Sequence, residues 1–472
     1  MNGSALGRDR LSNDGMLKAI APAILRKSSL AWILLCALLI SVQVAGGASR
    51  AEVLGQAIVR GAAWVLLIIA ILFCNRPEAR TARPIVLLLA AACGLLLLQL
   101  VPLPPSIWTA LPGRDLITQA AAVVGEPQAW RPWSIVPSAT LNALFSLVVP
   151  ASALWLTLCL NEEERARLPG LLLCLALASA LVGLVQGSGL AFDNPLINES
   201  VGTVSGTFAN RNHYALQMAI GCVLALAWGF GRSSDRASRR SVGTALAMLF
   251  LLSILVSGSR MGVLLGGLGL ATGFLLSLSN IRRALTRYPR WAVAALTAVA
   301  AVSIIGLVLL GVSAGRMRSI DRLFAVDPGQ DMRTRGLSTV VSMVREYFPA
   351  GSGIGGFDPI FRLHEPFGLL KPAYFNHAHN DFLEVVIDAG LPGLILLITA
   401  LCWWAWASIK AWRAGSAPSV VRARAGSGLL LLLIVASLTD YPARTPVIMA
   451  WTMIAAVWLS QGTQSKALPD DA

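Results

Sequence analysis

The chain has 472 residues, 56% of them hydrophobic and only 13% charged, and its mean hydropathy is +0.68. A soluble protein carries roughly 25% charged residues, and the apolar excess here falls in separated blocks too long for barrel strands, so a polytopic α-helical membrane protein is expected. The net charge of +14 does not point to nucleic acid, because the basic residues sit in loops between apolar blocks, where they report orientation.

Residues 1–28 are polar and basic and read as a cytoplasmic tail. The first apolar block, 29–46, is longer than the core of a usual signal peptide and reads as a retained span. Further spans are expected near 57–74 and 84–102. A Pro- and Trp-rich stretch follows, with Pro104, Pro105, Trp108, Trp130 and Trp133. Proline at this density resists a regular span and tryptophan favours the interface, so an outer loop lying on the membrane is expected. Spans near 139–160, 168–186, 214–231, 243–258, 262–279 and 291–312 complete a membrane region of nine helices over 29–312. A long polar loop, 313–381, interrupts the pattern. Three more spans, near 382–406, 426–439 and 446–460, fill residues 382–461, and 462–472 form a second cytoplasmic tail. The seven cysteines lie in or beside apolar blocks, and no disulfide is expected.

Twelve spans put both termini on one side. With the tails in the cytoplasm, the cytoplasmic segments hold 23 Lys and Arg against 14 outside, eight of those 14 in the large loop. Short loops carry the orientation signal, and there the bias is clear. The large loop is therefore expected in the periplasm of a bacterium, with the chain in its inner membrane. Arginines on that side run against the bias: Arg211, Arg260, and a crowd at Arg316, Arg318, Arg322, Arg333 and Arg335. They suggest an anionic ligand.

Three short segments of the outer face carry most of the polar chemistry. They are Gly206-Thr-Phe-Ala-Asn-Arg-Asn-His-Tyr-Ala215, Ser257-Gly-Ser-Arg-Met-Gly262, and the stretch from His377 to Gly393, which holds two of the four histidines with Asp381, Glu384 and Asp388. In this order, with Asp331-Met-Arg333 and Phe348-Pro-Ala-Gly-Ser-Gly-Ile-Gly-Gly-Phe357, they resemble the O-antigen ligase and polymerase family of bacterial membrane glycosyltransferases, best over 200–400.

The resemblance implies transfer of a glycan from an undecaprenyl-pyrophosphate carrier to an acceptor hydroxyl, on lipid A–core for a ligase or on another lipid-linked glycan for a polymerase. It implies no cofactor. The family's turn arginine falls on Arg260, although Met261 stands where glycine is common. The family's loop-helix arginine falls on Arg333, with Arg335 as the alternative, and its histidine falls on His379. The residues' own chemistry agrees. A pyrophosphate leaving group gathers negative charge, and arginines can hold it with bidentate contacts. Imidazole suits a general base. No acidic pair with metal-site spacing is found on this face, so a metal-independent, inverting displacement is expected, with Arg260 and Arg333 on the pyrophosphate and His379 on the acceptor.

Arg211, Arg335, His213 and His377 are secondary candidates for pyrophosphate or glycan contacts. Each also has a plain reading: Arg211 can bind lipid phosphate, His213 can pack, and His377 can support its neighbour. His364 reads as an ordinary loop residue. Glu384 and Asp388 read as acids complementing a helix dipole, Asp381 as a cap, and Asp440-Tyr441 as structural. The Gly351–Gly356 run has no preceding strand and reads as a turn allowing close backbone approach to the substrate or another loop. A lipid-linked glycan transporter is the alternative function. Ionisable residues deep in several spans would favour it, whereas here they gather on one face.

Overall fold

A computed structural model describes residues 29–189, 194–197, 202–231, 237–285, 289, 291, 332–370 and 375–462. The expected ninth span, both tails, and Arg316, Arg318 and Arg322 lie outside the described residues.

Ser29 accepts a hydrogen bond from the Trp32 backbone N–H and starts α1 (Leu30–Ala45). Next come α2 (Leu54–Phe73) and α3 (Arg83–Gln99), the latter begun by a proline in its first turn, where no intrahelical donor is lost. The span expected near 139–160 is broken into α6 (Pro137–Ser146) and α7 (Val148–Cys159). Pro150 has no N–H for the Ser146 carbonyl, so the ladder is interrupted there. A capping box at Asn161 and Glu164 opens α8 (Glu162–Gly187). The middle of the chain gives α9 (Arg211–Gly229), α10 (Ala237–Ser257) and α11 (Arg260–Leu285). The last part gives α14 (Asp381–Arg413), α15 (Pro418–Ser437) and α16 (Pro446–Gly462).

The fold is all-α and polytopic, as expected. Among the described residues eight helices are long and apolar enough to cross a membrane, with α6 and α7 counted together, and α1 and α16 are shorter apolar helices. The axis of the bundle is α9. It packs against α8, α10, α11 and α15 and is buried along most of its length. Being surrounded by protein, it tolerates polar residues that lipid would penalise. Gln217 and Gln43 of α1 exchange amide hydrogen bonds, the better one 2.8 Å, and Gln43 also donates to Thr207 at 2.6 Å.

The segment after α3 folds as two short helices, α4 (Pro105–Trp108) and α5 (Asp115–Val123), closed by a two-residue antiparallel ladder of β1 (Pro102–Leu103) and β2 (Arg131–Pro132). Two of its tryptophans serve inward contacts. The Trp108 indole donates to the Pro132 carbonyl at 2.8 Å and the Trp133 indole to the Ala350 carbonyl at 3.1 Å, while Trp130 is exposed. Arg114, fully buried, bridges the Pro112 and Trp133 carbonyls. Desolvation lowers its pKa to about 10, so it stays charged at neutral pH.

The stretch between α11 and α14 carries α12 (Met332–Tyr347) and α13 (Phe357–His364). It has a small core of its own, with Val340, Met343, Tyr347, Phe357, Phe361 and Phe375 packed onto Ile387 of α14. The α14 helix breaks at Gly390, whose φ of 55° and ψ of −143° suit only glycine. The break frees carbonyls, and the Gly351–Gly356 run supplies donors for them. Ser352 N–H donates to the Ile387 carbonyl and Gly353 N–H to the Asp388 carbonyl, both at 2.8 Å, and Gln99 adds a 3.0 Å bond to the latter. The glycine run thus approaches another backbone segment.

Candidate functional site

Several loops and helix starts meet at one end of the bundle. The starts of α9, α11, α12 and α14 lie here, together with the turn between α15 and α16. Asp440, in that turn, is the point of convergence. Its side chain is 3% exposed. Oδ1 accepts from His379 Nδ1 at 3.2 Å and from the Tyr441 N–H at 3.0 Å. Oδ2 accepts from Arg333 Nη2 and Asn210 Nδ2, each at 3.2 Å, and from Asn212 Nδ2. Arg333 also donates to the Thr439 carbonyl at 3.0 Å. His213 Nε2 stands 3.8 Å from Oδ1. Burial alone raises a carboxyl pKa. Here the hydrogen bond from His379 and the nearby Arg333 charge outweigh it and hold Asp440 well below the usual carboxylate range.

A second cluster adjoins the first with the opposite polarity. Arg444 Nη2 lies 3.0 Å from Glu384 and 3.9 Å from Asp388, and its Nε lies 3.5 Å from Asp381. The three acids at 381, 384 and 388 share one face of α14. His377 Nδ1 is 2.8 Å from Glu384 Oε1. Burial lowers the His377 pKa despite the adjacent carboxylate. Tyr441 joins the two clusters, its ring 4.2 Å from His377, 5.0 Å from His379 and 5.2 Å from His213. Desolvation pushes its phenol up to about 12, so it remains neutral.

In front of these residues is a cleft of about 310 Å³, lined by Arg50, Arg211, His213, Arg333, Asn376 and Tyr441 among others, and none of the described residues in its wall is acidic. Among the described residues the wall carries three arginines, one of them paired with Asp440, and no acid, a composition that favours an anion.

The expected site residues distribute as follows. Arg211, His213 and Arg333 line the cleft. His379 stands behind Tyr441, bound to Asp440, with φ 50°. It has the only positive φ among the described non-glycine residues, and such a backbone costs of order 1 kcal/mol. Arg260 is the first residue of α11 and is exposed. It is outside the cleft wall but is coupled to it through its neighbour, since Ser259 Oγ donates to Asn212 Oδ1 at 2.7 Å. His377 belongs to the Arg444 cluster. Arg335 turns away and donates to the Gly368 carbonyl at 2.6 Å. His364 meets the Tyr347 hydroxyl at 2.8 Å, distant in role from the cleft.

Sequence reasoning missed Asp440, Arg444, Arg50 and the pair Asn210 and Asn212. Two signals could have found the two arginines. Arg50 and Arg444 lie in segments expected on the outer face, where arginine runs against the orientation bias, and the 381, 384 and 388 spacing requires a buried counter-charge once that face is covered.

Residues 245–398 match a protein-family model described as O-Antigen ligase. The matched stretch holds Arg260, Arg333, Arg335, His377 and His379, and leaves the remaining cleft arginines and Asp440 outside it. No curated protein matches the chain.

Proposed function

We propose that this multi-pass membrane chain, which carries a domain of the O-antigen ligase family, moves a glycan from an undecaprenyl-pyrophosphate carrier to an acceptor hydroxyl at the periplasmic face of the bacterial inner membrane. The observation that carries the reading is the arginine-lined cleft beside a histidine held by a buried carboxylate.

In this reading the pyrophosphate lies in the cleft, contacted by Arg333 and Arg211, with Arg260 reaching it from the start of α11. Four helix starts at the same end add partial positive charge. Asp440 can only accept, so it keeps the His379 proton on Nδ1 and leaves Nε2 as the base. The acceptor oxygen attacks the anomeric carbon and passes its proton to Nε2. The bond from that carbon to the pyrophosphate oxygen breaks, and the electron pair leaves on the pyrophosphate, whose added charge the arginines stabilise. Attack from the face opposite the leaving group inverts the anomeric centre. His213 and Asn376 are placed to contact the glycan, and His377 supports the loop.

Ligase and polymerase share this donor chemistry and differ in the acceptor. Deleting the gene and resolving surface glycans on gels tests the function: a lost ligase leaves long chains on the lipid carrier and bare core, a lost polymerase leaves single repeat units, and unchanged glycans overturn the reading. Complementation with His379→Ala that restores full transfer would sink the general-base role.

A further inference from the structure

Glu384 is a buried carboxylate that the proposed chemistry leaves without a part. It lies in the first turn of α14 and is 0% exposed. Oε1 accepts from His377 Nδ1 at 2.8 Å and forms an ion pair with Arg444 Nη2 at 3.0 Å, and Oε2 accepts from the Ala378 N–H at 2.8 Å. An acid that merely complements a helix dipole touches the first N–H groups of its own helix. These three partners of Glu384 all lie outside α14, and two belong to the residues immediately before His379.

The residue after His379 is fixed as firmly. Asn380 donates from Nδ2 to the Leu438 carbonyl and accepts the Leu383 N–H on Oδ1, each at 3.0 Å. That second bond caps α14, so the helix start is complete without Glu384. Between the two anchors, His379 is held at φ 50°. A strained backbone persists only where its surroundings over-determine it, and Glu384 is the group that does so on the N-terminal side.

We infer that Glu384 is a positioning residue that clamps the His377–Ala378 backbone and so holds His379 in the left-handed conformation that brings its imidazole to Asp440. The inference rests on the reading of His379 as the base. Without the clamp the peptide relaxes toward negative φ. The Cα–Cβ direction of His379 then rotates and carries Nδ1 away from Asp440. The Tyr441 ring packs at a tilt against both His377 and His379, so clamp and base share one aromatic wall.

The test uses the full-length protein in lipid nanodiscs, with the lipid-linked glycan extracted from the deletion strain as donor. Glu384→Gln keeps an oxygen for the Ala378 N–H and loses the charge, and Glu384→Leu removes every contact. The expected result is a graded loss in kcat, about tenfold for Gln and about 100-fold for Leu, with donor KM unchanged. In an Asp440→Asn background Glu384→Gln costs little more, because both act through His379. If Glu384→Leu does not fold, that double-mutant cycle decides alone. Folded Glu384→Gln with wild-type kcat overturns the clamp, as does full additivity with Asp440→Asn. A fully active His379→Ala instead overturns the underlying reading, so the two failures are distinguishable.

Discussion

Asp440→Asn should separate the role of the buried carboxylate from that of the cleft arginines. The substitution keeps the shape and replaces one acceptor oxygen by a donor. If the new amide nitrogen takes the Oδ2 position, it faces donors from Arg333, Asn210 and Asn212. If it takes the Oδ1 position, it faces His379 Nδ1 and the Tyr441 N–H. Either orientation leaves at least two donors opposed, and an unsatisfied buried donor costs about 1–3 kcal/mol. Arg333 is 36% exposed and can turn to water, so the lower half of that range applies to it. For the two donors opposed at Oδ1 the sum is about 2–6 kcal/mol, equivalent to about 30- to 25,000-fold in a rate. The cheapest relief is for His379 to take the other tautomer, with its proton on Nε2, and this removes the base. The loss should therefore fall on kcat, with donor KM changed little. Single-turnover transfer in nanodiscs measures it, and a melting curve of the same sample checks folding. A folded Asp440→Asn protein with wild-type kcat would refute the reasoning.

Arg333 and Arg335, two residues apart, should behave differently: Arg333→Ala should lower transfer at least tenfold, whereas Arg335→Ala should stay within about twofold because its guanidinium is spent on a loop carbonyl. Equal losses in the same assay would show that the loop rearranges on binding. Gly390→Ala should destabilise by about 2 kcal/mol or more, since φ is 55° and a Cβ would meet the Pro349 carbonyl; thermal unfolding reads this, and an unchanged midpoint contradicts it. His377 and Asp440 should each contribute a loss of stability on the acid side. Burial lowers the His377 pKa, so as pH falls below about 6.5 the unfolded chain takes the proton first and stability drops until the folded value is passed. Asp440, depressed in the folded state, adds a second loss as pH falls below the usual carboxylate value. A wild-type melting midpoint that does not fall relative to His377→Gln between pH 7.5 and 5 would contradict the first sign, and one that does not fall relative to Asp440→Asn between pH 5 and 3 the second.

Much of the architecture was legible because it rests on local signals. Apolar blocks give helices wherever no water can satisfy the backbone, and Pro, Gly and the cap residues at Ser29, Asn161 and Asn380 mark their limits. The polar stretches around Arg211, Arg260 and His379 also stood out, since histidine is rare in this chain and arginine runs against the orientation bias in loops expected outside. Pairings were not legible. His379 meets Asp440 across 61 residues of sequence, and Glu384 meets Arg444 across 60. A dipole-type acid and a buried ion-pair acid look alike in sequence, because the difference lies in what covers the helix face. The glycine run could be read as permitting a close approach, but its partner depends on the carbonyls released by the break at Gly390. The tryptophans at 108 and 133 were misplaced for a related reason: an indole suits either a lipid interface or an internal carbonyl, and only the fold of 102–137 onto Ala350 chooses.

The two clusters explain how a site can hold buried acids and still attract a pyrophosphate. Asp440 is an anion ringed by donors, so its field is largely cancelled within the cluster. Arg444 is a cation ringed by Asp381, Glu384 and Asp388, and those carboxylates are in turn held by His377, Ala378, Ser437 and Gly355. Both sets of acids are almost wholly buried, and none is among the residues lining the cleft. The groups presented to the cleft are Arg50, Arg211 and Arg333. The division matters because unlike charges placed side by side in one wall would neutralise each other and leave no net attraction. Placing the acids one layer back lets them fix His379 and the arginine frame without opposing an incoming anion. It also predicts an asymmetry between the layers. Neutralising a cleft arginine should weaken donor binding and make it less sensitive to salt, whereas neutralising Asp440 should leave the salt dependence of KM as it was and lower kcat. Measuring donor KM against ionic strength for Arg333→Ala and Asp440→Asn separates the two, and an equal change in salt dependence would contradict the layered arrangement.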